Sequence, residues 1–436
     1  MRPPVPRELN SSDPNFAVDF ATLVESKRAI ESDVDATVAV IVDRVRRDGD
    51  SALLDYTKRF DGIDLSADKL RVTKAEIDQA YKSCDTRAVA ALELAASRIE
   101  DYHRRQLPED SFYEDKSGVA LGSRWTPIQA AGLYVPGGTA AYPSSVLMNA
   151  IPAKVADVTR LVMVVPSPRG ELNPLVLAAA RLAGVTEIYR VGGAQAIAAL
   201  AFGTKTIAPV DKIVGPGNAY VAAAKRRVFG TVGIDMVAGP SEILVVADGD
   251  NDPSWIAADL LSQAEHDKLA QSILITTDAR LARAVMQAVE GALKTLKRAE
   301  IARASWNDYG AVIVIESLDE AVELVDRLAP EHLELAIADP EPLARRISNA
   351  GAIFLGRYTP EAIGDYVGGP NHVLPTSGSA RFSSGLGVLD FMKRTSWLSC
   401  DAESLRAIGP AAVTLAKAEG LDAHARSISI RLNLPE

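Results

Sequence analysis

The spacing of apolar residues divides the chain into a helical N-terminal part and a longer part in which strands and helices alternate. Residues 15–30 and 34–47 repeat apolar side chains at helical spacing, and the second run ends at Gly49. Thr73 and Glu76 form a capping-box pattern that opens another helix, and a further helix is predicted over residues 87–105. We interpret this part as packing scaffold and as an arm for oligomer or domain contacts.

From Gly132 onward, short apolar runs alternate with helical segments. Four predicted strands end at turns rich in Gly or Pro, and each is followed by a helix: residues 132–135, 160–165, 187–191 and 212–214. This alternation predicts a parallel sheet covered by helices on both faces. Because ligands of open α/β sheets bind at the carboxyl ends of strands, these turns are candidates for a binding edge.

A second alternating unit follows, and a helical tail begins after about Gly385. Its strands are predicted at residues 242–247, 272–276, 311–315, 335–338 and 352–355, with helices starting near Asp252, Ala279, Leu318 and Pro340. Asp339 is the predicted N-cap of the last of these helices.

The fold class predicted from this pattern is α/β, with two parallel-sheet domains and helical N- and C-terminal extensions. The predicted boundaries are 1–30 for the N-terminal extension, 31–133 plus 241–386 for the first domain, 134–240 for the second and 387–436 for the C-terminal extension.

Composition narrows the class of protein without identifying a ligand. A chain of 436 residues is too long for one simple hydrophobic core, so two or more domains are expected. A content of 47% hydrophobic and 24% charged residues is ordinary for globular proteins. The net charge of -10 argues against nucleic acid as the main partner. The N-terminus lacks the apolar run of a secretory signal, and no apolar stretch is long enough to span a bilayer. Two cysteines, Cys84 and Cys400, are typical of inert thiols, so we expect a cytoplasmic protein.

The usual dinucleotide fingerprint, G-x-G-x-x-G, is absent from the sequence. The turns at residues 192–193 and 215–218 could bring backbone close to a phosphate or ribose at a helix N-terminus. Tight turns in an α/β sheet explain the same glycines, so these residues alone indicate a nucleotide only weakly.

Four of the five histidines lie beyond residue 260, each among other polar groups, whereas His103 is expected at a solvated helix end. Gln263 and His266 are spaced i, i+3 on the helix that begins near Asp252, so both are expected on one helical face. An amide oxygen and an imidazole form half of a metal site. A solvated polar face is the alternative for this pair.

Glu331 and His332 lie where a predicted helix gives way to a strand, which we expect to be the functional end of the sheet. A histidine base needs no large pKa shift to act near neutral pH. Asp365 and His372 lie in a turn-rich loop, and His424 lies near the C-terminus. Together these residues offer ligands for zinc or a related divalent ion beside a proton acceptor, although their dispersed spacing does not by itself establish a metal.

At this point the chain resembles the histidinol dehydrogenase family over nearly its whole length. The matching segments are residues 132–138, 191–196, 215–218, 238–242, 262–267, 331–334, 364–366, 371–376 and 418–421.

The resemblance implies a zinc- and NAD-dependent dehydrogenase that converts L-histidinol through L-histidinal to L-histidine, the last steps of histidine biosynthesis. It implies roles for residues at matching positions, and these form four groups. One zinc ion per subunit would be held by Gln263, His266, Asp365 and His424, and the acid/base pair would be Glu331 and His332. Ser241, His372 and Glu419 would line the histidinol pocket with His332 and the zinc ligands, while Tyr134, Gln195 and Asn218 would contact NAD. The family also implies two Rossmann-like domains that lack the G-x-G-x-x-G fingerprint. It further implies an intertwined homodimer, with residues 387–436 as the dimerisation extension and His424 donated by the partner chain.

The implied chemistry fits these residue types. Zinc can take the imidazole and amino nitrogens of histidinol, His332 can accept the alcohol proton, and Glu331 can activate water on the aldehyde. Alcohol to acid is a four-electron change, so two NAD molecules are used in turn. The native metal, zinc or manganese, stays open.

Three other functions fit these residues less well. An enzyme of the same superfamily acting on another alcohol, such as a sulfonated propanediol, is disfavoured because Glu419 suits a cationic amino group. A zinc hydrolase is disfavoured because no H-E-x-x-H is present, and a non-catalytic binding protein because the acid/base set is intact.

Overall fold

The computed structural model describes residues 6–25, 32–137 and 142–434. The strands are β1 (Arg7–Asn10), β2 (Ser111–Glu114), β3 (Ala120–Pro127), β4 (Ala130–Tyr134), β5 (Arg160–Val164), β6 (Glu187–Tyr189), β7 (Lys212–Val214), β8 (Gly233–Ile234), β9 (Glu242–Ala247), β10 (Gln271–Thr276), β11 (Ala311–Val314), β12 (His332–Ala336), β13 (Ala352–Leu355) and β14 (Met392–Ser399).

The helices are α1 (Phe16–Glu25), α2 (Ser32–Asp48), α3 (Asp50–Asp61), α4 (Ala67–Leu70), α5 (Lys74–Ser83), α6 (Thr86–Arg104), α7 (Pro143–Val155), α8 (Pro174–Ala183), α9 (Gly193–Phe202), α10 (Ala219–Val228), α11 (Pro253–Ala264), α12 (Ala279–Ala292), α13 (Ala299–Tyr309), α14 (Leu318–Leu328), α15 (Pro340–Ala344), α16 (Glu361–Tyr366), α17 (Ala402–Ala418) and α18 (Asp422–Ser429).

A five-stranded parallel sheet, in the order β6-β5-β4-β7-β8, forms the core of one half of the molecule. Apolar side chains of α6, α7 and α8 pack on one face, and those of α2, α3, α9 and α10 pack on the other. Strands buried on both faces read as continuous apolar runs, which is why the sequence reveals β4, β5 and β7. The strand order reverses between β4 and β7, the kind of switch point at which α/β sheets bind ligands.

A six-stranded parallel sheet, in the order β1-β11-β10-β9-β12-β13, forms the other half. Its two faces are covered by α11, α12 and α13 on one side and by α1, α14 and α15 on the other. The predicted α/β class with two parallel sheets is therefore confirmed.

A third sheet is antiparallel and was not predicted. Strands β14, β3 and β2 pair in that order, and most side chains of β2 and β14 are exposed. Helices α17 and α18 pack on each other at the end of the chain. The predicted helical C-terminal tail therefore contains these two helices and also a strand that pairs with residues far back in the sequence.

The N-terminal part differs from the prediction in three ways. Residues 7–10 form strand β1 on the edge of the six-stranded sheet, although that extension was expected to be helical. The helix predicted over residues 15–30 is α1, and the end of that prediction lies outside the described residues. Helices α2, α3, α5 and α6 pack against helices of the five-stranded sheet, whereas residues 31–133 were grouped with residues 241–386. The exact domain boundaries stay a prediction.

Two local expectations have clear outcomes. The capping box at Thr73 and Glu76 is confirmed, because each side chain accepts the backbone N–H of the other residue. The solvated position expected for His103 is wrong, because its side chain is fully buried and its Nδ1 lies 2.7 Å from the carbonyl oxygen of Ile99. Among the described residues, no helix combines the length and apolar character needed to cross a bilayer.

Candidate active site

A cleft of about 250 Å³ brings together most of the residues singled out in the sequence. Its lining residues come from loops at the edges of the two large sheets, from the start of β12 and from helices α7, α11 and α16. They are Pro136, Tyr142, Ser144, Ser145, Pro216, Gly217, Asn218, Ser241, Gln263, His266, Glu331, His332, Asp365, Tyr366 and His372.

The two sheets present opposite edges to this cleft. Pro136 and the turn at residues 216–218 follow the carboxyl ends of β4 and β7, as expected for an α/β sheet. His332, however, is the first residue of β12 and lies at the amino edge of the six-stranded sheet. The expectation that the junction at Glu331 and His332 belongs to the usual functional edge is therefore wrong for this sheet.

The backbone of Glu242, at the start of β9, holds both Glu331 and His332, the two residues expected to form an acid/base pair. Its N–H donates to Oε2 of Glu331 at 2.9 Å, and its carbonyl oxygen lies 2.8 Å from Nδ1 of His332. A carbonyl oxygen accepts only, so Nδ1 carries the proton and Nε2 of neutral His332 keeps its lone pair. Nε2 has no hydrogen-bond partner among the described residues. The geometry therefore presents Nε2 as a proton acceptor.

Burial shifts the pKa of both groups toward their neutral forms. It lowers the pKa of the His332 imidazole below 6.5, against the opposing charge of Asp365. It raises the pKa of the Glu331 carboxyl well above 4.5, although the N–H of Glu242 favours the ionised form. His332 is thus a neutral base near pH 7, and Glu331 ionises only at a higher pH than an ordinary glutamate.

Gln263 and His266 flank the end of α11 rather than sharing one helical face. The helix ends at Ala264, and His266 lies beyond it with its N–H bonded to the Gln263 carbonyl at 3.1 Å. The Gln263 side chain is 2% exposed, and its Oε1 has no hydrogen-bond partner among the described residues. An unpartnered buried amide oxygen is costly unless a ligand satisfies it, so this donor set fits a bound cation.

Asp365 and His372 meet on the opposite wall. Asp365 lies on α16 rather than on irregular backbone, and its carbonyl oxygen is 3.0 Å from Nδ1 of His372. Nε2 of His372 lies 3.2 Å from Oγ of Ser145, and burial lowers the pKa of the imidazole. His372 is therefore a neutral side chain fixed between two partners.

The sequence reasoning missed Glu361, one turn before Asp365 on α16. Its side chain is buried, its Oε2 accepts the hydroxyl of Ser262 at 3.3 Å, and its Oε1 lies 3.6 Å from Nε2 of His332. Burial, reinforced by the charge of Asp365, raises the pKa of Glu361 to about 8. Within the described ranges, His332, Glu361 and Asp365 form one group whose ligand atoms all lie within 4.8 Å of one another. The i, i+4 spacing of the two carboxylates on a helix was the available signal.

The three residues expected to contact NAD lie in the half of the molecule built on the five-stranded sheet, but among them only Asn218 lines the cleft. Its side chain caps α10 by accepting the N–H groups of Tyr220 and Val221. Tyr134 is buried, and its hydroxyl accepts the N–H of Gly193 at 3.1 Å. Gln195 is 1% exposed, and no described residue bonds its Oε1.

Glu419 and His424 are not brought to the cleft of this chain. Glu419 is the C-cap of α17, His424 lies in α18, and both side chains are exposed. Neither lines the 250 Å³ cleft.

A neutral histidine base, a perturbed carboxyl and an unpartnered amide oxygen, set in a cleft between two parallel sheets, are typical of an α/β enzyme with a candidate metal site. Comparison with known proteins narrows this class. The family model described as histidinol dehydrogenase matches residues 24–432. The chain therefore belongs to the histidinol dehydrogenase family, whose members are oxidoreductases.

Named relatives and a solved structure agree with this assignment. Histidinol dehydrogenase of Rhizobium meliloti (strain 1021) is 66% identical over 98% of this chain and 99% of its own length. Histidinol dehydrogenase of Brucella abortus (strain 2308) is 67% identical over 98% of this chain and 99% of its own length. The crystal structure of histidinol dehydrogenase from Elizabethkingia anophelis superposes with a TM-score of 0.94 at 37% identity, covering 99% of both chains.

Proposed function

We propose that this protein oxidises L-histidinol through L-histidinal to L-histidine with two molecules of NAD, in the cleft between the two parallel sheets. The observation that carries the proposal is the arrangement of His332, with Nδ1 committed to the Glu242 carbonyl and Nε2 free in the cleft. A cytoplasmic location is part of the proposal, as expected for a step of amino-acid biosynthesis.

His332 is the proton acceptor for the alcohol. Its Nε2 faces the cleft, and its lowered pKa keeps the ring neutral at the pH of turnover. A base fixed in one tautomer by a carbonyl needs no reorganisation before it takes the alcohol proton. Loss of that proton prepares the carbinol carbon to give up hydride.

Glu331 serves the second oxidation, which requires water to add to the aldehyde. Its Oε2 is anchored to the N–H of Glu242, and the carboxyl lines the same cleft as His332. The ionised carboxylate can remove a proton from water as the water attacks the carbonyl carbon. A raised pKa makes this group a stronger base than an exposed glutamate once it is ionised.

Gln263, His266 and Asp365 are the residues of this chain that would hold zinc. The unpartnered Oε1 of Gln263 supports this assignment, and all three side chains line the cleft. Zinc bound there would supply a Lewis acid able to take nitrogen ligands from histidinol. The alternative group of His332, Glu361 and Asp365 is not the proposed ligand set, because His332 is needed as a base with a free lone pair.

NAD is proposed to lie along the carboxyl edge of the five-stranded sheet. Asn218 and the neighbouring Gly217 line the cleft there, at the N-terminus of α10. Tyr134 and Gln195 are buried behind that edge and would support NAD binding from there. Ser241, where the chain passes to the six-stranded sheet, and His372 would contact histidinol.

The fourth zinc ligand and one substrate contact are proposed to come from a second subunit. His424 and Glu419 are exposed and lie outside the cleft of their own chain. The antiparallel sheet of β2, β3 and β14 exposes Phe112, Trp397 and Leu398, which indicates a surface for another copy. A homodimer in which each C-terminal arm completes the partner's site explains both features.

The direct test is NADH formation by purified protein incubated with histidinol and NAD, before and after chelation. We expect NADH formation with histidinol, its loss on chelation and its return with zinc. A sulfonated propanediol is the matched alternative substrate and should give no NADH, because the pocket offers carboxylates where that substrate needs cations. Full activity of rigorously metal-free protein would contradict the zinc assignment.

A further inference from the structure

The turn at residues 215–218 lines the cleft, yet its first residue is held from behind by a buried ion pair. Lys225, on α10, pairs with Asp235, and their side chains are 2% and 1% exposed. Nζ of Lys225 donates to the carbonyl oxygen of Gly215 at 3.0 Å, and the N–H of Gly215 donates to Oδ2 of Asp235 at 2.8 Å. Both backbone groups of Gly215 are therefore bound by one pair of opposite charges.

The same position leaves no room for adjustment. Gly215 has a φ of +113°, and a Cβ built there would lie 2.2 Å from the carbonyl oxygen of Tyr134. The turn thus needs glycine, whose backbone has wide conformational freedom. Fixing such a residue requires outside contacts, and the ion pair supplies them.

Asp235 also connects this turn to the second half of the cleft. Its Oδ1 accepts the N–H of Met236 at 2.6 Å, and its own N–H donates to the carbonyl oxygen of Ile213 at 3.2 Å. Residues 235–241 lead from β8 to Ser241, which lines the cleft, and on to β9. One carboxylate therefore ties the turn at the cofactor edge to the segment that carries Ser241.

A buried ion pair is weak evidence for stability, because desolvation of both charges offsets their attraction. Well-packed apolar residues fill such a position at no loss of stability in several proteins. We propose that the Lys225–Asp235 pair is a positioning element: it fixes the turn at residues 215–218 in the conformation that binds NAD. This inference rests on the proposed function, because NAD is the ligand assigned to that turn.

The test compares variants by direct NADH binding, followed by fluorescence, and by steady-state kinetics. The main variant is Lys225→Met with Asp235→Asn, which removes both charges and leaves no unpaired charge in the core. We expect its Kd for NADH and its KM for NAD to rise about tenfold or more, because small displacements of a binding loop are costly. The kcat at saturating NAD and histidinol should stay within about twofold of wild type, because neither Lys225 nor Asp235 lines the cleft.

Lys212→Met is the matched control. Lys212 opens the strand β7 that leads into Gly215, and its Nζ lies 2.8 Å from both the carbonyl and a carboxylate oxygen of Asp390, at the opposite end of that strand. Its removal should leave the Kd for NADH unchanged. An equal rise in Kd for this control would show general weakening of the sheet and would overturn the inference.

A wild-type Kd for NADH in the folded double variant would also overturn it. If the double variant does not fold, Lys225→Arg replaces it in the test, because this variant keeps the charge but replaces the ammonium with a planar group. We expect Lys225→Arg to raise the Kd for NADH. An unchanged Kd for NADH in this variant refutes the positioning role. Histidinol-dependent NADH formation by the wild type reports separately on the proposed function. A wild type that turns over, with variants that bind NADH normally, removes only the inference about the pair.

Discussion

At the scale of single residues, the site depends on the backbone of Glu242. One peptide N–H orients a carboxyl and one carbonyl selects the tautomer of an imidazole, so the acid/base pair is set by the pairing of β12 with β9. In that register His332 lies opposite Ile243, next to Glu242. The division of labour between Glu331 and His332 follows from chemistry and can be separated by substitution.

His332→Asn should slow histidinol oxidation by about 10² to 10⁴, the usual effect of losing a positioned general base. NADH binding and zinc content should stay close to wild type, because the side chain is a proposed ligand of neither. Glu331→Gln should spare histidinol oxidation more than histidinal oxidation, since only the second step needs activated water. The two steps are measured separately with histidinol and histidinal as substrates, and equal damage to both by Glu331→Gln would contradict the assignment.

The two pKa shifts predict different pH limits for the two steps. The pKa of His332 is lowered, so its base form persists below pH 6.5 and the histidinol step should keep its rate there. The pKa of Glu331 is raised, so its base form is lost as pH falls through a value well above 4.5. The kcat/KM for histidinal should therefore decline first on acidification, and Glu331→Gln should remove that decline. A histidinal profile that is flat to pH 5 would refute this view.

At the scale of elements, the buried parallel strands could be predicted and the exposed ones could not. Strand β9 was predicted with its observed bounds, because the apolar residues that follow Glu242 form an uninterrupted run in the sequence. Strand β12 begins three residues before its prediction, since His332 and Glu334 are polar yet buried within it. Strands β2 and β14 are mostly exposed and β3 is mostly half-buried, so their residues form no continuous apolar run. Strand β14 also pairs with β3 across more than two hundred residues of sequence, which local pattern does not encode.

The site shows the same division. Sequence reasoning brought out Gln263, His332 and Asp365 as chemistry-bearing residues, and their roles came from a family resemblance. Their meeting in one cleft, the tautomer of His332 and the involvement of Glu361 depend on strand register and helix ends. Apart from the i, i+4 spacing of Glu361 and Asp365 on one helix, no spacing in the sequence encodes these contacts.

The turn at residues 215–218 allows a test of how strongly its backbone conformation is constrained, with a second glycine as control. Gly215→Ala should destabilise the fold and weaken NADH binding, because its φ is +113° and its new Cβ would collide with the Tyr134 carbonyl. Gly230→Ala is the control: Gly230 has a φ of +97°, and nothing lies within 4 Å of its Cβ. The control should lose about 1–3 kcal/mol from backbone strain alone and bind NADH normally. Denaturant unfolding and NADH titration measure both, and equal losses in the two variants would exclude the steric argument.

At the scale of the whole molecule, the cleft of one chain lacks two of the residues assigned to it. Glu419 and His424 lie on α17 and α18, which pack on each other, and both side chains are exposed. A two-fold dimer would let each arm serve the opposite cleft. This arrangement predicts a particular pattern of complementation.

A mixed dimer of one His424→Ala chain and one His266→Ala chain should keep about half of the wild-type activity, by site counting in a two-fold dimer. If His424 acts in the partner's site, one cleft has both histidines intact and the other lacks both. If it acts within its own chain, every cleft carries one defect. Co-expression with two different tags and purification of the mixed dimer distinguish the cases, and an inactive mixed dimer would rule out sharing.

We propose that one cleft oxidises the alcohol all the way to the acid. The decisive measurement is the stoichiometry of the reaction with limiting histidinol and excess NAD, following NADH by absorbance and the organic products by chromatography. We expect two molecules of NADH and one of histidine for each histidinol consumed, with no histidinal released. One NADH per histidinol, with free histidinal as the product, would refute the proposal.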